Sequence, residues 1–292
     1  MKTLLVLTGP TAVGKTRLAL AIAKQLQSPV INADSRQIYK ELPIGTAAPT
    51  AEEQAQVKHY FVGTKSVREE YNAGQYEADC LSLLGSLFRQ HDTLLLTGGG
   101  MMYIDAVCNG LDEIPKTDFA LRRTLQTKPL SWLQEELLRL DPNYYSQVDL
   151  KNPQRVMHAV EVSLTAGRPY SALRTRSRKQ RDFKIIKTAL ARPREELYER
   201  INERVTQMID GGLREEAMQV YPLRGLNSLN TVGYKEMFRF FDGEITLDEA
   251  IRLIRQNTRH YAKRQLTWFR QDKDLIWFNA NTATADDILK LV

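Results

Sequence analysis

Apolar residues first form a short unbroken run, Leu4-Leu5-Val6-Leu7. They then recur at helical spacing as Leu18, Ala19, Ile22, Ala23 and Leu26, and return to a run at Val30-Ile31. The runs predict strands over 3–8 and 30–31, and the 3.6-residue spacing predicts a helix over 16–26. Strand, helix and strand in that order imply an α/β opening with a parallel sheet. After a loop rich in Gly, Thr and Pro over 43–50, helical spacing from 75 to 90 leads into Thr93-Leu94-Leu95-Leu96-Thr97-Gly98-Gly99-Gly100. Such a strand, ending in glycines, is expected to lie at the sheet centre with its C-terminal edge facing a ligand. From about 115 to 168 the pattern is helical throughout, with Ser131 the expected N-cap of a helix reaching Asp141. Phe183 to Ala191 resumes the sheet, and Pro193 opens a helix carrying Leu197, Ile201, Val205, Met208 and Ile209. Helices follow, one of them over 247–269, before a last short strand at 275–278.

The 292 residues are enough for a large core, and 42% hydrophobic with 26% charged residues is ordinary for a globular chain. No apolar run approaches the roughly 20 residues that span a bilayer, and the N-terminal segment is too short for a signal peptide, so a cytoplasmic protein with no membrane contact is expected. Cys80 and Cys108 have no metal-like spacing and fit a reducing compartment as buried thiols. Net charge is +6, and its distribution says more than its sum. Ten basic residues between Arg168 and Arg194 face Asp182 alone, and seven between Arg252 and Lys273 face Asp272 alone. Either cluster by itself reads as a solvated face. Together, with Tyr261, Trp268 and Phe269 interleaved in the second, they point to a nucleic-acid partner, where cations meet phosphates and rings stack on bases.

Directly behind the first strand stands Gly9-Pro10-Thr11-Ala12-Val13-Gly14-Lys15-Thr16, the full phosphate-loop pattern in its required strand–loop–helix context. Its glycines allow backbone N–H groups to turn inward, and the helix start adds positive potential. Lys15 supplies a cation, and the Thr16 hydroxyl can reach Mg²⁺. The fold class expected is therefore α/β, a P-loop NTPase-like parallel-sheet core at 1–114 and 171–292. A helical insertion at 115–170 interrupts it, and the C-terminal part is rich in helices. The pattern implies a diphosphate-like group without naming ATP. Most such loops serve ATP or GTP, so a kinase is the default, yet the strand ending at Thr97 carries no acid to hold a nucleotide's metal. The one acid in a comparable place is Asp34, just past Val30-Ile31. It can act as a general base toward a nucleophile, or it can cap a turn.

Read on from the loop, Asn32-Ala33-Asp34-Ser35-Arg36-Gln37-Ile38-Tyr39, Asn152-Pro153-Gln154-Arg155-Val156-Met157-His158, Thr231-Val232-Gly233-Tyr234-Lys235 and Lys263-Arg264-Gln265-Leu266-Thr267-Trp268-Phe269-Arg270 resemble, in order, the tRNA dimethylallyltransferase (tRNA isopentenyltransferase) family. The resemblance covers nearly the whole chain. It implies that Gly9 to Thr16 bind the diphosphate of dimethylallyl diphosphate with Mg²⁺ on Thr16, that Lys15 and Thr16 serve catalysis, and that no nucleotide is hydrolysed. It implies transfer of the prenyl group to N6 of adenosine 37, beside the anticodon of tRNAs reading codons that begin with U. Asp34 would then be the base, and Ser35, Arg36, Gln37 and Gly100 would line the acceptor. Arg122 and the block Gln154, Arg155, Val156, Met157 and His158 would touch the anticodon stem-loop.

Two departures from the family pattern matter. Relatives carry Thr where this chain has Gly100, so a hydroxyl contact is missing. Some carry Arg where this chain has Asn230, so Lys15 with Mg²⁺, Arg174 or Arg176 would have to neutralise the leaving group. No C-terminal Cys/His pattern marks a zinc finger, and a monomer is expected because one tRNA arm fills one channel. The alternatives are an adenylate isopentenyltransferase, a small-molecule kinase and a GTPase-like RNA-binding module. Against them stand, in turn, the two basic clusters, the lack of a metal-holding acid, and the lack of an Asn-Lys-x-Asp motif.

Overall fold

The computed structural model describes residues 1–115, 119–175 and 177–292. Its described chain divides into two compact units, one formed by 1–108 with 181–292 and the other by 109–180. The helical unit thus begins earlier and ends later than the expected 115–170.

The first unit is built on six strands: β1 (Thr3–Thr8), β2 (Val30–Asn32), β3 (His59–Tyr60), β4 (Thr93–Thr97), β5 (Lys184–Ala191) and β6 (Leu275–Asn279). They form one parallel sheet in the order β3-β2-β4-β1-β5-β6. Burial on both faces explains the unbroken apolar runs. Leu4 and Val6 of β1 join Leu94, Leu96 and Ile31 on one face, while Leu5 and Leu7 join Leu95, Val30 and Ile186 on the other. The helix Lys15–Leu26 buries Ala19, Ile22 and Ala23 against the second face. A third cluster joins Ile38, Tyr39 and Leu42 to the helices Arg194–Asp210, Leu213–Val220, Tyr234–Phe241 and Leu247–Phe269 through Val205, Leu213, Met237 and Ile254. β3 and the short helix Ala51–Gln56 lie between the loop over 43–50 and the helix expected from 75, where the pattern predicts no element. Two residues carry no readable alternation, and the helix buries nothing.

The second unit shows helices alone among its described residues, at Phe119–Gln126, Leu130–Leu140, Pro142–Tyr145, Pro153–Ala166 and Tyr170–Leu173. Its core gathers Leu125, Leu133, Leu137, Val156, Val160 and Leu173. Ser131 is not a cap. Pro129, with φ −67°, is the N-cap, two residues before the expected one, and Ser131 falls inside the helix. Among the described residues no helix is long and apolar enough to cross a membrane.

Candidate functional site

The C-terminal ends of β1, β2 and β4 lie side by side, so the chain segments leaving them converge. The first is the phosphate loop. Gly9 takes φ +143°, and a Cβ there would stand 2.7 Å from the Leu190 carbonyl oxygen of β5. Only glycine fits. Ala12 is also left-handed, at φ +64°. Three arginines hold the loop: Arg192 Nε donates to Val13 O at 2.8 Å, Arg200 Nε to Ala12 O at 2.9 Å, and Arg204 Nη1 to Thr11 Oγ1 at 3.4 Å. Not every amide expected to turn inward does so. Pro10 has no N–H, Thr11 N donates to Gln265 Oε1 at 2.9 Å, and Val13 N points to Pro10 O at 3.4 Å. Gly14 caps the helix without a side-chain bond, and the N–H groups of Gly14, Lys15 and Thr16 meet no acceptor among the described residues. These are the donors left for an anion.

Lys15 Nζ lies across the loop, donating to Gly9 O and Pro10 O, each at 2.9 Å. Burial, and then the Arg204 guanidinium, push its pKa down to about 7 against the pull of Asp34. The sign follows. Between about 7 and the ordinary 10.5 the free protein holds Lys15 largely neutral, whereas a polyanion beside it favours the ammonium. Binding of inorganic diphosphate at about pH 8 will therefore take up a proton, and affinity will fall by up to about tenfold per pH unit above the lower value. Calorimetric titration in two buffers of different ionisation heat measures this. Lys15→Met should abolish the Lys15 share of the uptake, and an uptake unchanged by that substitution would contradict the assignment. Over the same window the folded state binds fewer protons than the unfolded chain, so the free protein gains stability as pH rises.

Asp34 follows β2, and the backbone fixes its place. Ala33 N donates to Thr97 O at 2.7 Å, and Gly100 N donates to Ala33 O at 2.9 Å. Asp34 Oδ1 accepts from Arg36 N at 2.8 Å and Gln37 N at 3.3 Å. Oδ2 takes no hydrogen bond from a described residue. The side chain thus caps a turn through one oxygen, and the geometry leaves the other open to accept a proton.

The glycine segment after β4 closes the third side. Gln265, buried in the helix Leu247–Phe269, accepts from Thr11 N and donates through Nε2 to Gly99 O at 2.8 Å, tying the phosphate loop to this segment. At Gly100 a Cβ would stand 2.5 Å from Ala33 O, so the missing side chain is a condition of the close approach that positions Asp34.

Lys15, Thr16, Asp34, Ser35, Arg36, Gln37 and Gly100 all line one cleft of about 690 Å³. Tyr39, Tyr71, Met101, Met102 and Tyr103 give it an apolar wall. Asn230 and Lys235 lie on it too, with Arg264 of the second basic cluster and one cation the sequence reading passed over, Arg204. Arg204 is pushed down by burial and then by Arg200, as expected of a guanidinium crowded by like charge. Of the cations invoked to replace an arginine at 230, Arg174 belongs to the helical unit, its guanidinium 5.7 Å from the Tyr144 ring centre. Arg176 lies outside the described residues.

Residues 37–272 match the family model described as IPP transferase. The chain belongs to that family. It is 55% identical over 286 residues to tRNA dimethylallyltransferase 1 of Phocaeicola vulgatus, covering 97% of this chain and 95% of that protein. It is 53% identical to the Bacteroides fragilis enzyme of the same name, covering 95% and 94%. The full-length tRNA isopentenylpyrophosphate transferase of Bacillus halodurans superposes with a TM-score of 0.73 at 33% identity, covering 100% of this chain and 94% of that one. A eukaryotic dimethylallyltransferase acting on tRNA shares the fold, at a TM-score of 0.81 and 23% identity over 96% of this chain and 74% of that one.

In this IPP transferase the remaining expected residues lie in the helical unit. Asn152 caps the helix Pro153–Ala166 by accepting from Arg155 N at 3.2 Å, and Gln154 and Arg155 stand exposed on its first turn. Val156 corrects the expectation: it is fully buried in the unit's core, with Met157 packed against that core, so its side chain has no surface to offer an RNA. Its spacing with Ala159 and Val160 already marks the buried face. His158 is pushed below its usual pKa by burial and sits edge-on to Tyr170 at 5.5 Å. Arg122 donates through Nε at 3.1 Å and Nη2 at 2.9 Å to the buried Glu161, which fixes the direction of its guanidinium.

Proposed function

We propose that this IPP transferase moves the dimethylallyl group of dimethylallyl diphosphate to the exocyclic N6 of adenosine 37 in a tRNA anticodon stem-loop. The observation that carries the reading is the meeting of a diphosphate loop and a one-oxygen-free carboxylate, Asp34, in a single cleft with an apolar wall. The C1–O bond of the donor breaks, diphosphate leaves with the electron pair, and N6 forms the new bond to C1. An exocyclic amine is a weak nucleophile because its lone pair is delocalised into the purine. Asp34 Oδ2 takes the N6 proton as that pair is used. The N–H groups of Gly14, Lys15 and Thr16, with Lys15 and Arg204, stabilise the charge that grows on the leaving oxygens. Arg204 thereby fills the place that Asn230 leaves without a cation. Tyr39, Tyr71, Met101, Met102 and Tyr103 keep water from the allylic carbon.

The described residues hold no group of three His, Cys, Asp or Glu suited to a metal. A Mg²⁺ ion would be held by the Thr16 hydroxyl and the donor's own diphosphate oxygens, the manner in which Mg²⁺ commonly binds at phosphate sites. When bound, it supplies further neutralisation of the leaving group.

The target base is extruded from the loop stack at a cost of a few kcal/mol. Ser35 and Gln37 meet its edge, Arg36 and Gly100 lie beside it, and Arg122, Gln154, Arg155 and His158 serve the stem-loop. One enzyme turning over one tRNA arm needs no second subunit, so a monomer is the expected working form. The test separates donor from acceptor. Unmodified tRNA affinity should fall steeply, by about an order of magnitude or more between low and physiological salt, while dimethylallyl diphosphate affinity changes little. Diphosphate release should require tRNA and proceed without any nucleoside triphosphate. A tRNA affinity indifferent to salt, or turnover only with ATP, would defeat the reading.

A further inference from the structure

Glu216, in the helix Leu213–Val220, is only 6% exposed and touches neither the phosphate loop nor Asp34. Its carboxylate gathers three donors: Oε2 accepts from Ile44 N at 2.7 Å, and Oε1 accepts from Gly45 N at 2.8 Å and from the Tyr234 hydroxyl at 2.6 Å. Two consecutive backbone amides in one carboxylate clamp the 44–45 peptide in a single orientation. From that clamp the loop folds tightly. Ala47 N donates to Ile44 O and Ala48 N to Pro43 O, both at 3.0 Å; Thr46 Oγ1 donates to Leu42 O at 2.6 Å; and Ala47 is held at φ +49°.

The consequence falls on Gln37. Its Nε2 donates to Thr46 O at 3.1 Å and to Ala47 O at 2.9 Å. A carboxamide facing two carbonyls presents its nitrogen to them, which turns Oε1 to the other side. Gln37 lines the cleft, and Oε1 accepts no hydrogen bond from a described residue. Its own backbone N–H is held by Asp34 Oδ1, so amide and base share one turn.

We propose that Glu216 is a positioning residue for acceptor selection: by clamping the 44–47 loop it orients the Gln37 amide so that only an acceptor oxygen faces the purine edge. An amino group at purine C6 has two hydrogens, one for Asp34 Oδ2 and one for Gln37 Oε1. A keto oxygen there, as in inosine, would meet two acceptors and no donor, and that mismatch rejects it. The inference rests on the transfer reading above and adds the source of its base selectivity.

Affinities of two anticodon stem-loops, identical except for adenosine or inosine at the target position, are measured in the presence of inorganic diphosphate. Wild type should prefer adenosine by at least about tenfold. Glu216→Gln replaces one oxygen with a donor that opposes the N–H groups of the clamp. It should erase most of that preference while leaving the affinity for inorganic diphosphate unchanged. Gln37→Leu should erase the same preference, and the double variant should lose no more than either single one. If Glu216→Gln weakens both stem-loops alike and keeps their ratio, or if its loss adds to that of Gln37→Leu, the proposal falls. If Glu216→Gln fails to fold, Gln37→Leu alone decides: a preference retained in that variant overturns the proposal. A wild type that prenylates adenosine yet binds both loops equally overturns this proposal alone. One that binds neither overturns the transfer reading, and this one with it.

Discussion

Asp34→Asn will lower prenyl transfer by about a thousandfold and leave folding and tRNA binding essentially intact. In the proposed reaction the two oxygens of Asp34 do separate work. Oδ1 accepts from the backbone amides of Arg36 and Gln37, and an asparagine carbonyl oxygen can do the same. Oδ2 has no partner among the described residues, and in asparagine its place is taken by an amide nitrogen. That nitrogen donates instead of accepting, so the N6 proton has no base to receive it. The expected signature is a fall in kcat with little change in KM for either substrate, and a melting temperature within about 2 °C of wild type. A variant that lost binding and rate in equal measure, or that melted much earlier, would make the side chain a cap and nothing more.

Gly100→Thr, which restores the residue of the family pattern, will damage this enzyme. A Cβ at this position would lie 2.5 Å from Ala33 O, a backbone atom that cannot rotate away. The bond from Gly100 N to that same oxygen, at 2.9 Å, must stretch or break as Ala33 retreats, and Asp34 moves with it. Overpacking of this kind costs about 1–3 kcal/mol, and a displacement of about 1 Å at a reacting group can cost a hundredfold in rate. A loss of stability in that range, with transfer reduced by about two orders of magnitude, is expected from thermal denaturation and initial rates. Unchanged stability with equal or higher activity would mean that the segment after β4 yields freely and does not hold the base in place.

The parts legible in the sequence are those whose chemistry is local. Gly9 to Thr16 can be read because a backbone turned toward an anion demands glycine, lysine and threonine at fixed offsets. β1 and β4 can be read because a strand buried on both faces is an unbroken apolar run, whereas β5 carries Lys187 and Thr188 within it. Asp34 could be found but not assigned, since a cap and a base need the same residue at the same place. What stayed hidden is carried across long stretches of chain. Gln265 reaches Thr11 over 254 positions, and Glu216 reaches Ile44 over 172. No periodicity announces such a contact, because it depends on how the helices pack. A trace of Arg204 was present. Arg200 and Arg204 sit one helical turn apart beside the buried stripe of Leu197, Ile201 and Val205, which places both at the edge of a core. Ser131 misled because its preference for caps lost to Pro129, whose fixed φ starts the helix sooner.

Purified protein incubated with dimethylallyl diphosphate, Mg²⁺ and an unmodified tRNA, followed by nucleoside mass spectrometry, tests the central claim most directly. The account predicts one adenosine, the one beside the anticodon, heavier by a single dimethylallyl group, with one diphosphate released for each. Unaltered adenosine throughout such a tRNA, or a prenyl group on any atom but the exocyclic nitrogen, would contradict it.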